Sequence, residues 1–429
     1  MPHASCAFLE RPLYWDTCAH RTHQFSGMRA NGNSRVSEIW QLGNGHDARH
    51  ALSTWRVIMR VLIISRFCAS PVYRAKIAAL ARQPGLEVSL LVPAEWKEGA
   101  QLFTCREGEE EGYRIFTGSL IFNGRVGGHV YGSGLRKALQ EARPDIVHME
   151  EESYSFAAAQ VLFCLSMLRT RPKFITNNSE NFDIALPWRS RKIEKVVFRR
   201  ADALLVFART ARARLLRIGA PPQKVRTLPQ FGLDPKLFRP PEPGERGNVF
   251  SIGYLGRLVH SKGVDVLLRA LAGLSGEWRA QVVGDGDERE TLERLARALG
   301  IGDRVEFVGW VDHSDVPGYL RKWHVLALPS RMTAHWREQF GRVLIEAMGC
   351  GVVPVGAATG EIPHVIGSEG FVFPEDDVEI LQKILQKLQN EPRERERLAQ
   401  AGSRRILEEF TWDVLADKTH RLYEDILAR

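Results

Sequence analysis

Short apolar runs that alternate with helical stretches constrain the fold of this chain more than any other feature. The first run, at residues 60–64, reads Arg-Val-Leu-Ile-Ile, and a helical pattern follows it around residues 73–82. Short apolar runs joined by helical segments are typical of parallel strands with crossover connections. The first half of the chain therefore predicts a parallel sheet covered by helices. Its further runs lie at residues 88–92, 146–148, 174–176, 203–207 and 225–227.

The alternation stops at a proline-rich joint and then begins again. Residues 238–244 read Phe-Arg-Pro-Pro-Glu-Pro-Gly, a stiff polar segment of the kind that separates domains. With 429 residues, of which 44% are hydrophobic, the chain can bury one large core or two cores of ordinary size, and the restart of the alternation favours two. We therefore predict an α/β fold with two Rossmann-like domains that face each other across a cleft. The runs after the joint lie at residues 250–254, 280–283, 305–308, 325–328, 353–355 and 371–373.

Residues 1–58 differ from the rest of the chain. They mix histidine, arginine, tryptophan and glycine without a stable period, and they lack the apolar core of a signal peptide. We expect Met59 to be the natural start and the preceding segment to be an extension that is disordered or absent in the cell, with a short accessory subdomain as the alternative. The other expected parts are an N-terminal domain at 59–238, a linker at 239–247, a C-terminal domain at 248–408 and a C-terminal helix at 409–429, for which we consider a return to the first domain.

Composition restricts the possible functions less than it restricts the possible folds. The net charge of +8 fits an anionic substrate or a membrane surface as well as a nucleic acid. The six cysteines show no Cys-x-x-Cys spacing, which indicates neither a zinc site nor a disulfide framework and favours the reducing cytoplasm. The sequence contains no window of about 18 uninterrupted apolar residues, so it predicts no membrane-spanning helix. Because no nucleic-acid-binding motif is recognisable, we do not expect a nucleic acid as partner.

Two glutamates flank the expected turn between the strand at 325–328 and a helix that begins at Gly341 or Arg342. On one helix Glu338 and Glu346 would lie about 12 Å apart along the axis. A glycosidase needs its two acids about 5 to 9.5 Å apart across one bond, so this spacing favours two separate roles. Glu338, on the loop, can reach a ligand at the carboxyl ends of the strands, whereas Glu346 points inward. The helix start between them offers backbone N–H groups that suit a phosphate.

This stretch resembles the Glu-x7-Glu signature of the retaining glycosyltransferases of family 4, also called group 1, which have the GT-B fold. The resemblance covers roughly Met59 to the C-terminus and is most specific from Gly253 to Pro363. It implies transfer of a sugar from a nucleotide-sugar donor, with retention of the anomeric configuration and without a metal or other cofactor. The matching residues are Phe340, Gly341, Glu346, Ala347, Met348, Gly351 and Pro354, followed by Thr-Gly-Glu-Ile-Pro at 359–363.

The resemblance also implies roles for individual residues on the donor side. Glu338 would contact the donor sugar and Glu346 would hold the nucleotide ribose. A further segment, Gly253 to Gly263, is similar to the family's Gly-Arg-x4-Lys-Gly, whose basic pair holds the donor diphosphate. An arginine can bind two phosphate oxygens at once and a lysine adds a mobile charge, so this role suits Arg257 and Lys262. The remaining donor-binding residues that we expect are Gly256 and the backbone amides of Phe340, Gly341, Arg342, Val343 and Leu344.

On the acceptor side the sequence departs from the family. Residues 145–152 are similar to its Asp-x-x-His-x-His segment, but Glu150 stands where the second histidine, near the reaction centre, is expected. A carboxylate there can orient an acceptor hydroxyl or stabilise positive charge on the sugar, although three consecutive glutamates are also typical of a solvated loop. Glu338, Glu150 and His148 are the candidate catalytic residues, with a packed strand-end histidine as the alternative for His148. Arg66 follows the first strand, and we expect it to contact an anionic group.

The acceptor and the sugar are not determined by the sequence. A polysaccharide, a lipid-linked glycan and a small molecule all fit. Residues 187–217 contain ten basic and two acidic residues interleaved with apolar ones, which favours either an anionic membrane surface as partner or a solvated helix face. A GT-B sugar-nucleotide epimerase and a catalytically silent glycosyltransferase-like scaffold remain alternative functions.

Overall fold

The computed structural model describes residues 58–98, 101–334 and 336–429. The segment that we expect to be an N-terminal extension lies outside these residues, except for its last residue. The described chain forms two α/β units, each built on a mainly parallel sheet, and this confirms the predicted fold class.

The first unit is built on an eight-stranded sheet in the order β12-β11-β10-β9-β1-β2-β6-β5, in which only β5 is antiparallel to its neighbour. Two short hairpins, β3-β4 and β7-β8, lie outside this sheet. The strands are β1 (Met59–Ile64), β2 (Leu86–Pro93), β3 (Glu95–Glu98), β4 (Gln101–Thr104), β5 (Gly108–Glu110), β6 (Tyr113–Gly118), β7 (Leu120–Ile121), β8 (Val130–Tyr131), β9 (Ile146–Met149), β10 (Lys173–Asn178), β11 (Ala203–Val206) and β12 (Val225–Thr227). The helices are α1 (Ala75–Ala81), α2 (Ser133–Ala142), α3 (Phe156–Ser166), α4 (Trp188–Arg200) and α5 (Arg209–Arg217).

The apolar run of β1 reflects its position inside this sheet. Leu62 and Ile64 pack into the core on one face, while Val61 and Ile63 pack into the core on the other. Successive side chains of a strand point to opposite faces, so a strand covered on both sides must be apolar at every position. This is why the first unit reads as continuous apolar runs rather than as an alternating pattern.

The second unit is built on a six-stranded, fully parallel sheet in the order β15-β14-β13-β16-β17-β18. Its strands are β13 (Phe250–Leu255), β14 (Trp278–Val283), β15 (Val305–Gly309), β16 (Val325–Leu328), β17 (Val353–Ala357) and β18 (Phe371–Phe373). The helices after the first unit are α6 (Val264–Ala272), α7 (Arg289–Ala298), α8 (Val316–Leu320), α9 (Arg342–Gly349), α10 (Ile362–Ile366), α11 (Val378–Asn390), α12 (Pro392–Glu409) and α13 (Trp412–Leu427).

The last helix, α13, returns to the first unit. It begins at the N-cap Thr411, whose hydroxyl accepts a hydrogen bond from the Val414 amide at 3.2 Å. It packs against α1, and Leu422, Tyr423 and Ile426 complete the core on that face of the first sheet. The two units are thus connected by the chain around residue 233 and again by the start of α13, where Leu233 and Thr411 form an isolated bridge.

Both sheets reverse their strand order next to their first strand. In the first sheet β1 lies between β2 and β9, and in the second β13 lies between β14 and β16. Open α/β sheets bind ligands outside the carboxyl ends of the strands at such a switch point. Each sheet of this chain therefore offers one crevice.

Candidate active site

A cavity opens at the carboxyl ends of β13 and β16, and we call it the C-terminal cavity. The loop after β13, the loop after β16 and the start of α9 form its walls. Most of the residues that the sequence predicts to bind the donor line this cavity. Its lining consists of Tyr73, Gln230, Phe231, Leu255, Gly256, Arg257, Lys262, Leu328, Trp336, Glu338, Gln339, Phe340, Gly341, Arg342 and Val343.

Lys262 and Glu338 form an ion pair in this cavity. The Nζ atom of Lys262 lies 2.6 Å from Oε2 of Glu338, which also accepts a hydrogen bond from the Ser330 hydroxyl at 3.3 Å. The same ammonium lies 4.4 Å from the centroid of the Trp336 ring, a cation–π contact. No sequence pattern marks Trp336, because the aromatic residue stands in an irregular loop. The Lys262 ammonium is thus held in place by the Glu338 carboxylate.

Arg257 lies on the loop after β13, in the same cavity. Its carbonyl accepts a hydrogen bond from the Tyr254 hydroxyl at 2.8 Å, which fixes the backbone of the loop. Within the described residues no carboxylate pairs with its guanidinium. Arg257 therefore presents a charge that is available to an anion, whereas Lys262 must first leave Glu338.

The helix α9 begins at Arg342, as the sequence pattern predicts. Its N-cap, Gly341, has a φ of +78°, in the left-handed region that favours glycine. The first N–H groups of a helix have no partner inside the helix, and the residues at this helix start, Gly341, Arg342 and Val343, line the cavity. Leu344 is an exception to our expectation: its amide donates to the Gly341 carbonyl at 2.8 Å and its side chain is fully buried, so it offers no free N–H group.

Glu346 lies behind the cavity wall rather than on it. It is only 1% exposed, and its Oε1 atom lies 2.7 Å from Nε of Arg342 and 3.1 Å from Nε2 of His313. Its second oxygen, Oε2, is buried without a hydrogen-bond partner in the described part of the chain. Buried acceptors are almost always satisfied, so this oxygen is a candidate for a ligand hydroxyl once Arg342 moves aside.

The loop that carries Glu338 is held by its backbone. The Glu338 carbonyl accepts hydrogen bonds from the Glu361 amide at 3.1 Å and from Nδ2 of Asn181, in the first unit, at 3.1 Å. Gly360, with a φ of +57°, packs so closely that a Cβ atom would lie 2.0 Å from the same carbonyl oxygen. The Thr-Gly-Glu-Ile-Pro segment thus positions Glu338, and the first unit contributes to that position.

A second cavity lies at the carboxyl ends of β1 and β9, and we call it the N-terminal cavity. It shares Tyr73, Gln230 and Phe231 with the C-terminal cavity, so the two are adjoining parts of one cleft. About 1220 Å³ of it is free of protein atoms, part of this open to solvent. Its charged and polar lining residues are Arg66, Lys76, His148, Glu150, Glu151, Glu152, Asn177, Ser179, Glu180, Gln230 and Thr419.

Glu150 lies in the N-terminal cavity and is paired with Lys76. The Nζ atom of Lys76 donates to both carboxylate oxygens of Glu150 at 2.6 Å. Burial would raise the pKa of Glu150, but the charge and hydrogen bonds of Lys76 act in the opposite direction, and the pKa lies below its ordinary value. Glu150, Glu151 and Glu152 are all buried, so the interpretation of this segment as a solvated loop is wrong. No local pattern marks Lys76, since it stands on α1, 74 residues from its partner.

His148 uses both ring nitrogens inside the protein. Nε2 lies 2.8 Å from Oδ1 of Asn177, and Nδ1 lies 2.6 Å from the hydroxyl of Tyr423 on α13. Burial lowers its pKa, so the ring is neutral, donates through Nε2 and accepts through Nδ1. The side chain borders the cavity but has no free nitrogen to exchange a proton with a ligand. This geometry corresponds to the packed strand-end histidine.

Arg66 contacts an anionic group, as expected, but the group belongs to the protein. Its Nε atom lies 2.9 Å from Oε1 of Glu151, and its guanidinium lies over the rings of Phe67 and Trp96. Both partners are buried. The charge of Arg66 is therefore already neutralised by Glu151.

The basic segment at 187–217 contains the whole of α4, β11 and α5. Its apolar residues Val197, Phe198 and Leu215 are buried in the core of the first unit, so they are not available to a membrane. Arg189, Arg191, Lys192 and Lys195 are exposed on α4. Large apolar side chains are also exposed on the adjacent helices α3 and α4, namely Phe163 (65%), Met167 (71%) and Trp188 (58%).

Neither a metal cluster nor a membrane span is found among the described residues. No group of three or more His, Cys, Asp or Glu side chains in residues 58–98, 101–334 and 336–429 is arranged to hold a metal ion. None of the helices in this part of the chain combines the length and the apolar composition that a membrane crossing requires.

Two family descriptions match successive parts of the chain. Residues 70–230 match the glycosyl transferase 4-like domain, and residues 238–405 match the glycosyl transferases group 1. The second match contains the lining residues of the C-terminal cavity that belong to the second unit, including those from Gly256 to Val343.

Two curated relatives are mannosyltransferases. The chain is 31% identical over 245 residues to the MMP alpha-(1->4)-mannosyltransferase of Mycolicibacterium hassiacum, which covers 56% of this chain and 57% of the relative. It is 28% identical over 283 residues to the GDP-mannose-dependent alpha-(1-6)-phosphatidylinositol monomannoside mannosyltransferase of Mycolicibacterium smegmatis, covering 61% of this chain and 73% of the relative. The chain thus spans little more than half of the first relative and about three quarters of the second.

Solved structures share the two-unit fold. HepE of Anabaena, determined in complex with UDP, superposes with a TM-score of 0.64 at 18% identity over 86% of this chain and 100% of that chain. Sucrose-phosphate synthase from Thermosynechococcus elongatus superposes with a TM-score of 0.67 at 21% identity over 86% and 99%. At this level of identity the likeness concerns the fold.

Proposed function

Because the chain belongs to the group 1 glycosyltransferases and has the GT-B fold, we propose that it transfers a sugar from a nucleotide-sugar donor to an acceptor with retention of the anomeric configuration. The observation that carries the proposal is the convergence of Arg257, Lys262, Glu338 and the start of α9 in one cavity. This cavity adjoins a second one that contains Glu150. The cleft thus offers one place for each of two substrates.

The basic residues of the C-terminal cavity suit the departing nucleoside diphosphate. Arg257 can donate to two phosphate oxygens, and Lys262 can turn from Glu338 to the phosphate. The N–H groups at the start of α9 add partial positive charge. Together these groups would stabilise the negative charge that develops on the leaving group, so the proposed reaction needs no metal.

The two glutamates of the signature would then act at different distances from the reaction. Once Lys262 binds phosphate, Glu338 is free to accept hydrogen bonds from hydroxyls of the donor sugar. Glu346 keeps an unpartnered oxygen behind Arg342, and movement of Arg342 toward the phosphates would open a path to the ribose. Binding of the donor would thus replace two internal ion pairs with contacts to the ligand.

Glu150 is suited to hold an acceptor hydroxyl in the proposed reaction. Lys76 keeps the carboxylate ionised, so it accepts hydrogen bonds but has no proton to donate. A fixed negative charge on this side of the cleft would also favour positive charge at the anomeric carbon. His148, with both nitrogens occupied, would support Glu150 through packing and not through proton transfer.

Thermal unfolding with UDP, GDP, ADP or buffer alone, without metal, tests donor binding. A nucleotide that binds only the folded state adds about 2.7 kcal/mol to its stability at 100 times its dissociation constant. We expect one nucleotide to raise the unfolding temperature and Arg257→Ala to abolish most of the rise. The matched control is Arg269→Ala, an exposed arginine on α6 in the same domain. An equal rise in wild type and Arg257→Ala would place the donor elsewhere.

Product analysis distinguishes the proposed transfer from the other functions of a GT-B chain. A transferase forms a new glycosidic bond, whose anomeric configuration is read by nuclear magnetic resonance. A sugar-nucleotide epimerase changes or hydrolyses the donor without an acceptor, and a silent scaffold leaves it intact. An inverted anomeric product would refute retention while leaving the transfer itself intact.

We place the protein in the cytoplasm, peripherally at the inner face of a membrane, in the biosynthesis of a polysaccharide or another glycan. Support comes from the exposed Phe163, Met167 and Trp188 beside the basic face of α4, because aromatic and basic side chains together favour an anionic bilayer surface. Liposomes with anionic lipid should sediment the protein at low salt, and Trp188→Ser should weaken this binding. Equal sedimentation with neutral liposomes, or none with either, would contradict the placement.

A further inference from the structure

The N-terminal cavity contains more carboxylates than cations. Its two cations are both engaged, Lys76 with Glu150 and Arg66 with Glu151. Two further glutamates, Glu152 and Glu180, line the same cavity without an ion pair to any described residue. An anion entering this cavity would therefore meet neutralised cations and two uncompensated carboxyl groups.

Glu152 is held rigidly but only through one oxygen. Its Oε1 atom accepts hydrogen bonds from the Ser179 amide at 2.7 Å and from the Ser179 hydroxyl at 2.6 Å. Its Oε2 atom has no hydrogen-bond partner in the part of the chain that the structure describes, although the residue is only 9% exposed. A buried carboxyl oxygen without a partner is costly for the protein, and a ligand donor would remove that cost.

The surroundings supply too little positive charge for these carboxyl groups. Glu180 has the Tyr154 hydroxyl at 3.5 Å, and the cation that acts on both Glu152 and Glu180 is Arg214. Arg214 is also shared with the buried carboxylate of Glu194, at 3.9 Å. Burial and the neighbouring Glu180 raise the pKa of Glu152 to about 8, and burial also raises the pKa of Glu180. The pair thus retains a proton at neutral pH, and a cationic group of a ligand could replace this proton.

On the premise of the sugar transfer proposed above, we propose that the N-terminal cavity binds an acceptor that carries a protonated primary amine, with Glu152 and Glu180 as its ligands. An ammonium group donates three hydrogen bonds and brings the charge that these two residues lack. A phosphorylated or carboxylated acceptor is disfavoured, because Lys76 and Arg66 are already paired. A neutral hydroxyl can satisfy Oε2 of Glu152 but leaves the charge of the pair uncompensated.

Matched monosaccharides in the presence of saturating nucleotide test this specificity. The probes are glucosamine, N-acetylglucosamine, glucose and glucose 6-phosphate, with binding followed by ligand-observed nuclear magnetic resonance at pH about 7. Hydrogen bonds to charged groups are strong enough that we expect glucosamine to bind about tenfold more tightly than N-acetylglucosamine or glucose, and glucose 6-phosphate to bind most weakly. Equal binding of glucosamine and glucose, or tighter binding of the phosphate, would overturn the proposal.

Charge-neutral variants assign the preference to the two residues. Glu152→Gln and Glu180→Gln keep the shape of the side chain, and the glutamine oxygen can still accept from Ser179. Each should reduce the preference for glucosamine about tenfold, while Asp183→Asn, an exposed carboxylate of the same segment outside the cavity, should not. An unchanged preference in both glutamine variants would refute the assignment.

The nucleotide measurement separates two kinds of failure. If the nucleotide still raises the unfolding temperature of every variant but glucosamine has no advantage, the acceptor class is wrong and the transfer proposal stands. If no nucleotide binds to the wild type, the transfer proposal fails, and the monosaccharide series measured without nucleotide still decides whether the cavity prefers an amine.

Discussion

Adjacent glutamates in this protein have opposite electrostatic properties. Glu150 and Glu152 lie two residues apart and are both buried, yet the pKa of Glu150 is lowered and that of Glu152 is raised to about 8. Burial acts in the same direction on both. The difference comes from their partners, since Lys76 contacts Glu150 whereas Glu152 lies near Glu180. Residue type and burial alone therefore do not decide which carboxyl group is ionised.

The raised pKa of Glu152 predicts a pH-dependent stability. The protonated form stabilises the folded protein below the ordinary pKa of 4.5, and this contribution is lost as the pH rises toward about 8. Glutamine does not ionise, so Glu152→Gln should not lose stability as the pH rises. The unfolding temperature of Glu152→Gln relative to wild type should therefore increase from pH about 5 to pH about 8, by about 2 to 4 °C for each 1 kcal/mol. The groups that act on Glu152 are Glu180, Ser179 and Arg214, and Glu152 in turn acts on Tyr154.

Glu150→Gln is the matched control for this measurement. It leaves Lys76 without a charged partner, and breaking a buried pair costs about 3 to 5 kcal/mol. Since the pKa of Glu150 lies below its ordinary value, its contribution is already complete near pH 5 and the loss should not grow at higher pH. A constant difference for Glu152→Gln between the two pH values would contradict the raised pKa.

At the scale of elements, the loop before α9 depends on a turn in a different segment. The Gly360 backbone lies against the Glu338 carbonyl, and the Glu361 amide donates to that carbonyl. Neither strand β16 nor helix α9 could hold Glu338 at this place alone, because the residue lies in the irregular segment between them. The Thr-Gly-Glu-Ile-Pro part of the sequence thus supports the site from outside it.

Gly360→Ala should weaken donor binding, and Gly300→Ala should not. Both glycines have a positive φ, +57° and +70°, so both variants lose about 1 to 2 kcal/mol through backbone strain. A Cβ atom at position 300 meets nothing within 4 Å, whereas at position 360 it would lie 2.0 Å from the Glu338 carbonyl oxygen. We expect Gly360→Ala to be the less stable variant, with nucleotide-sugar affinity lower by about tenfold, a loss near 1.4 kcal/mol. Titration calorimetry on both variants decides this, and equal affinities would show that Glu338 tolerates the displacement.

At the scale of the whole molecule, specific contacts join the two domains over the cleft. The helix α5 in the first domain has no side-chain cap of its own, and the carboxylate of Glu361 in the second domain accepts from its Arg209 amide at 3.0 and 3.1 Å. A carboxylate at a helix N-terminus is stabilising. Asn181 reaches the Glu338 carbonyl across the same interface. The domain arrangement and the Glu338 loop are thus coupled.

Removal of the interdomain cap should open the cleft. We expect Glu361→Ala without ligand to show a larger radius of gyration by small-angle X-ray scattering, because the N-terminus of α5 loses an interaction of about 0.5 to 2 kcal/mol. Glu369→Ala is the control, since Glu369 pairs with Arg405 inside the second domain. Saturating nucleotide should reduce the difference between Glu361→Ala and wild type. Identical scattering of the two proteins in every state would exclude the cap as a determinant of closure.

Local sequence pattern was sufficient to predict the fold class, the family and the convergence of the loops that form the C-terminal cavity. Arg257, Lys262 and Glu338 lie on loops that follow β13 and β16, which are neighbours in the sheet. Loops at the carboxyl ends of adjacent parallel strands must meet at one edge, so local pattern and spacing were sufficient. The helix start at Arg342 was readable for the same local reason.

The partners of the buried charges and the contacts between the domains became known from the folded structure and not from the sequence. Lys76 with Glu150, His148 with Tyr423 and Glu361 with the Arg209 amide are separated by 74, 275 and 152 residues. No periodicity relates such residues, because packing of helices on sheets and of one domain on the other brings them together. Ionisation, hydrogen-bond partners and the charge left in the N-terminal cavity follow from these pairings. The sequence could therefore predict the functional residues on the loops. The ionisation and the partners of each buried group depended on the folded molecule.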